Sequence, residues 1–133
     1  MIEPHVIRLK PGQDLKQPIL AFVKQQNIQA GWVATCAGSL TQYAIRFANQ
    51  PKVDSGNGHF EIVSLSGTLS VNGSHLHISI SDSTGKTIGG HLADGCLVYT
   101  TAEIVIHETK KYTFTREKDG TTEWEELQVK ENK

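Results

Sequence analysis

Two turn sequences, Asn72-Gly73 and Ser83-Thr84-Gly85, constrain this chain more than any other feature in it. Asn-Gly is the strongest two-residue hairpin signal, because a type I′ turn needs positive φ at both central positions. A two-residue loop there pairs Val71 with Ser74, and therefore Leu69 with Leu76, Thr68 with His77 and Leu65 with Ile80. The second turn suits a three-residue loop with Gly85 in the left-handed conformation. It pairs Asp82 with Lys86, Ile80 with Ile88, His77 with His91 and Leu76 with Leu92. The two registers agree on faces. Leu65, Leu69, Val71, Leu76, Ile78, Ile80, Ile88 and Leu92 collect on one side, which is a core face. Ser66, Thr68, Ser70, His75, His77, Ser79 and His91 collect on the other. A one-residue slip in either turn would mix the sets, so the faces are well specified. Gly67 and Gly90 flank Ile78 on the core side and leave room for a helix or a large side chain such as Trp32.

The remainder follows from periodicity. Leu15, Ile19, Phe22 and Val23 fall at helical spacing between Asp14 and Gln26, with either Asp14 capping the first turn or Pro18 seated at the first helical position. Strands are expected at 32–37, 41–47, 60–71, 74–81, 86–92, 97–107, 112–116 and 122–129. Gly38-Ser39 separates the first two, and 49–58 (NQPKVDSGNG) reads as an exposed loop. The expected class is α+β, a mixed and mainly antiparallel sheet with one or two covering helices. A single domain over 1–133 is expected, with 130–133 as a frayed tail.

Composition narrows the function. Lys plus Arg number 13 against 14 Asp plus Glu, for a formal charge of −1. A general nucleic-acid binder needs a basic face to displace counterions, and this balance does not favour one. No run approaches the ~20 apolar residues of a membrane span, and the start of the chain has no apolar export signal, so the expected compartment is the cytoplasm. Cys36 and Cys96 sit among small and apolar neighbours and read as buried free thiols.

Chemistry concentrates on three histidines. His75 and His77 leave the same face of one strand, and the second register sets His91 directly opposite His77. Opposed residues have Cβ atoms about 5 Å apart, so three imidazoles can converge on one point. That is the geometry of a three-histidine zinc site with its fourth position open, although neutral imidazole also binds other divalent metals. Solvated polar residues would satisfy the same face one at a time, but three at ligand spacing beside small Ser and Thr favour metal. His5, His59 and His107 carry no such geometry and suit surface or interface roles. Glu103 is a mid-strand carboxylate, suited to assisting a metal shell or moving a proton, or equally to a solvated face.

The segments Gly58-His59-Phe60-Glu61-Ile62-Val63-Ser64-Leu65-Ser66-Gly67, His75-Leu76-His77-Ile78-Ser79, Gly89-Gly90-His91-Leu92 and Thr100-Thr101-Ala102-Glu103-Ile104-Val105-Ile106 resemble the PPC family, the plants-and-prokaryotes conserved domain. The resemblance runs from Pro11-Gly12-Gln13-Asp14-Leu15 over nearly the whole chain. It implies an α/β fold assembled as a homotrimer, and a DNA association that prokaryotic members carry largely by analogy with plant relatives. In those relatives an AT-hook outside the domain grips DNA and the domain recruits partners. This chain has no Arg-Gly-Arg-Pro hook, and His59 stands where the plant motif has arginine. The histidine pattern also resembles the zinc site of acetolactate decarboxylases, which implies His75, His77 and His91 as ligands with Glu103 or Glu61 assisting. Phe60 and Ile62, on an otherwise polar strand face, add an apolar contact for a trimer.

The leading expectation is thus a homotrimer with a His-lined zinc or other divalent-metal site open to a small-molecule ligand, with metal-assisted hydrolase or lyase chemistry within its reach. The alternative is a DNA-associated regulatory protein or interaction module.

Overall fold

Every strand pairing in the computed structural model, which describes residues 1–133, is antiparallel. The elements run β1 (Ile2–Leu9), α1 (Lys16–Gln25), β2 (Gly31–Arg46), β3 (Asp54–Leu69), β4 (His75–Ser81), β5 (Thr87–Leu92), β6 (Leu97–Thr109), β7 (Tyr112–Glu117) and β8 (Glu126–Glu131). Six strands form a sheet in the order β1-β6-β2-β3-β4-β5. The far end of β2 then meets β5 through Ile45↔Leu92 and Arg46↔His91, so β2 to β5 close on themselves. Strands β7 and β8 form a separate hairpin. The expected mixed sheet with one or two helices is therefore a wholly antiparallel one with a single helix.

Asp14 secures that helix. Its Oδ2 accepts the backbone N–H of Lys16 and Gln17 at 3.0 and 2.9 Å, while Oδ1 accepts that of Gly95 at 2.7 Å. Pro18 sits in the first turn, where its missing N–H has no intrahelical partner to lose. Leu15, Ile19 and Val23 are buried and join a core with Leu40, Ile45, Leu65, Leu69, Ile78, Ile80, Leu92, Ile104 and Ile106.

The β4–β5 register is the expected one, with His77↔His91 and Ile80↔Ile88. The β3–β4 register is shifted by two residues, to Ser66↔His77, Gly67↔Leu76 and Thr68↔His75. The cause lies outside the hairpin. The Val71 N–H donates to the Ile28 carbonyl at 2.8 Å, and the Gly73 N–H closes a turn on the Ser70 carbonyl at 3.0 Å. Ser70 Oγ donates to the Phe114 carbonyl at 3.0 Å, so Ser70 is buried and Val71 is exposed. An even shift preserves faces, which is why the histidines remain together. Trp32 does not fill the space at the glycines; it packs edge-on against His107, with ring centroids 5.6 Å apart.

Other expectations are corrected in the same way. A β-bulge between Ile62 and Ser64 leaves Val63 exposed and turns Ile62 into the core, with Phe60 packed against it. The apolar contact that these two residues offered to a second subunit is therefore gone. Strand β2 runs unbroken through Gly38, where a side chain would overlap the backbone of Thr101 and Ala102 on β6. Residues 54–58 continue β3, opposite Gln42–Ile45, because Gly56 leaves room for the Tyr43 ring and Asp54 accepts the Tyr43 hydroxyl at 2.7 Å. Edge strand β1 has no counterpart among the expected strands. The tail does not fray: Lys130 and Glu131 are in β8, and the Asn132 N–H donates to the Lys111 carbonyl at 2.7 Å.

Candidate metal centre

Alternation along β4 sends Leu76, Ile78 and Ile80 into the core and His75 and His77 outward. Gly67 holds this strand at its working distance. It has φ +150°, and a Cβ there would overlap the His75 carbonyl oxygen. Gly90 does the same for β5, since its Cβ would lie 2.6 Å from the Arg46 carbonyl oxygen. The three rings meet. His75 Nε2 lies 3.1 Å from His77 Nε2, and one ring nitrogen from each of His75, His77 and His91 lies within 4.8 Å of the others. Tetrahedral zinc with Zn–N bonds of about 2.0–2.1 Å requires ligand nitrogens about 3.3 Å apart, so modest ring rotations complete such a set. The neighbours Ser66 and Thr68 are small, and Ser64 and Ser79 share a hydrogen bond of 2.8 Å.

The electrostatics favour the neutral form of His75 and of His91. Burial pushes the His75 pKa below its ordinary value, helped by the charges of His77, Arg116 and Arg46, with Glu126 opposing. Burial and then the Arg46 charge do the same for His91. A neutral imidazole offers the lone pair that a metal needs. The donor set suits a divalent cation.

Two arginines and a loop that sequence reasoning missed complete the surroundings. A cleft of ≈ 350 Å³ elsewhere is lined mostly by polar residues of β1, of β6, of the segment after α1 and of the C-terminal part of the chain, but the larger one opens on this site. His75, His91, Arg46, Arg116, Trp124 and Glu126 are among its lining residues. Closure of β5 onto β2 brings Arg46 beside His91, and the β7–β8 hairpin folds back to deliver Arg116. Neither approach has a local sequence signal.

Glu103 lies elsewhere. On β6 it pairs with Arg8 of β1 and Ala37 of β2, with two strands between β6 and β4, and its charge acts on Cys36. Glu61 sits opposite Ser81, further along the sheet from His77. The structure brings neither carboxylate to the histidines. His5 Nε2 is 3.0 Å from Oε1 of buried Glu108, with Glu3 at 3.6 Å, and His59 packs on Tyr99 with centroids 4.6 Å apart. Cys36 and Cys96 are both free, with Cys96 buried as expected and Cys36 only partly buried. No helix is long and apolar enough to cross a membrane.

Comparison with known proteins places this geometry. The chain is 46% identical over 123 residues, 92% of its length, to the Bifunctional protein GlmU of Synechococcus sp. (strain JA-3-3Ab), of which it spans only 20%. It is 35% identical over 106 residues to AT-hook motif nuclear-localized protein 13 of Arabidopsis thaliana, covering 71% of this chain and 24% of the relative. A hypothetical protein from Salmonella superposes with a TM-score of 0.96 at 41% identity, over 98% of this chain and 95% of its own. A metal-containing protein from Archaeoglobus fulgidus shares the fold, with a TM-score of 0.79 at 23% identity over 95% and 93% of the two chains. The model of the Plants and Prokaryotes Conserved (PCC) domain matches residues 1–110, so this chain belongs to the PCC (or PPC) domain family.

Proposed function

We propose that this chain is a PCC-domain interaction and regulatory module that self-associates as a homotrimer and holds a divalent metal on His75, His77 and His91. The observation that carries the metal reading is the convergence of three ring nitrogens within 4.8 Å on one sheet face. The metal-containing relative of the same fold is consistent with it. A metal held by three histidines keeps an open position, at which it would polarise a bound oxygen and lower the pKa of bound water. Hydrolase or lyase chemistry would need a proton carrier as well. Glu126 is better placed for that than Glu103, because its charge reaches His75.

The regulatory part of the reading is supported by the AT-hook relatives, whose domains align with most of this chain. Any DNA association then runs through partners or through appended segments. The chain itself is balanced at −1 and lacks an AT-hook. Its own affinity for duplex DNA is expected at about 10⁻⁴ M or weaker at physiological salt. The homotrimer rests on the family resemblance, and Val6 at 74% and Val63 at 56% exposure are apolar side chains that a subunit contact would cover.

Elemental analysis of purified protein tests the metal reading. Near-stoichiometric zinc or another divalent ion is expected, and its loss in the His75→Ala, His77→Ala double variant. Absence of metal after growth in metal-replete medium refutes it. Light scattering that reports a stable monomer refutes the trimer. Submicromolar, sequence-selective DNA binding by the isolated chain would show direct recognition and refute a partner-mediated role.

A further inference from the structure

We infer that the cleft beside the histidines is a site for a small oxyanion, a carboxylate or a phosphate, held between the guanidinium groups of Arg46 and Arg116 with one oxygen directed at the metal position. Only the last contact rests on the metal reading; the arginine pair stands without it.

Both arginines face the cleft without an acidic partner. The ion pairs of the molecule are His5 with Glu3, His5 with Glu108, and Lys16 with Asp94. Arg46 makes one long contact, from Nη1 to the Gln50 carbonyl at 3.4 Å. Arg116 donates from Nη2 to Thr68 Oγ1 at 2.9 Å, and its Nε is buried with no partner at all. A buried donor without an acceptor is costly, and a planar guanidinium fork matches the paired oxygens of carboxylate and phosphate. The backbone of Arg46 is paired with that of His91 across β2 and β5, and the stem of Arg116 lies against Gly73, whose Cβ would fall 2.7 Å from Arg116 Cγ.

The other lining residues set the size of the ligand. Glu123, Glu125 and Glu126 also line the cleft, with Trp124 between them. Glu126 Oε2 accepts the Thr122 hydroxyl at 2.6 Å. An acidic flank repels an extended polyanion such as a nucleic-acid backbone, while a small anion can sit between the arginines and the histidines. Arg116 and the 123–126 loop lie beyond residues 1–110, which the family model matches.

The test is a titration of the full chain, metal-free and zinc-loaded, with sodium acetate and with inorganic phosphate. Calorimetry and the fluorescence of Trp124 are followed, with Trp124→Phe as the control for the optical signal. One anion per chain is expected, weakened about tenfold or more by Arg46→Gln and again by Arg116→Gln. Preference for acetate or phosphate assigns the class. Absence of saturable binding for both anions up to about 10 mM, or unchanged binding in the double variant, overturns the proposal. Arg46 bonds only to a loop carbonyl, so Arg46→Gln keeps the test valid if Arg116→Gln loosens the hairpin. Arginine-dependent binding in a protein that never takes up zinc would retire the metal reading and leave this one standing. Zinc uptake without anion binding would do the reverse.

Discussion

Replacing Gly67 by alanine should break the metal site and the sheet together, and Gly85→Ala supplies the matched control. Both glycines have positive φ, +150° and +84°, so both substitutions strain the backbone. Nothing lies within 4 Å of a Cβ at Gly85, whereas one at Gly67 would overlap the His75 carbonyl oxygen. Strain alone costs about 1–2 kcal/mol at Gly85. At Gly67 strain costs about 1–3 kcal/mol, and β3 must also part from β4, losing ladder hydrogen bonds worth about 1 kcal/mol each. The sum at Gly67 is about 3–5 kcal/mol, which a domain of ordinary stability survives at 25 °C. At about 4 °C per kcal/mol for a chain of this length, Tm should fall about 12–20 °C for Gly67→Ala and about 4–8 °C for Gly85→Ala. Urea unfolding and thermal circular dichroism give the two numbers, and zinc content gives the consequence for the site. Gly67→Ala should lose metal under conditions where it is still folded; Gly85→Ala should keep it. A Gly67→Ala protein no less stable than Gly85→Ala would refute the claim that this glycine sets the β3–β4 distance.

Three further outcomes are expected. Glu103→Gln should leave zinc content unchanged, because its charge faces Cys36 rather than the histidines; loss of metal would show that the carboxylate reaches the site in the assembled protein. Burial raises both thiols to about 11, with the Glu103 charge adding to Cys36. The folded protein then keeps protons that the unfolded chain releases above about 9, so the stability contributed by neutral thiols is present below that pH and declines as pH rises toward 11. Alkylation at pH 8 should accordingly be slow in the native protein and fast in urea, and rapid native labelling of Cys96 would contradict its burial. Deleting residues 112–133 should leave a cooperatively folding protein, since no member of the 21-residue buried core comes from β7 or β8; a chain that unfolds outright would show that the hairpin does more than cover the β3–β4 turn.

The histidine face was legible in the sequence because a strand's side chains alternate with period 2, and a turn such as Ser83-Thr84-Gly85 is specified by its own residues. His77↔His91 followed from those two facts alone. The Asn72-Gly73 turn misled by two residues because Val71 gives its N–H to Ile28, a partner 43 positions away in the chain that no local pattern reveals. The bulge at Val63 escaped for a related reason: period-2 reasoning has no means to detect one extra residue, and the extra residue inverted the faces of Phe60 and Ile62. Only tertiary structure decided what stands around the histidines. Arg46 reaches His91 because β5 closes onto β2 over the space that Gly90 leaves empty, and Arg116 arrives on a hairpin docked through Ser70 and Asn72. Alternation and turn chemistry act between neighbours and are written locally. Strand closure and hairpin docking depend on distant backbone donors and on empty volume, which exist only once the chain has folded.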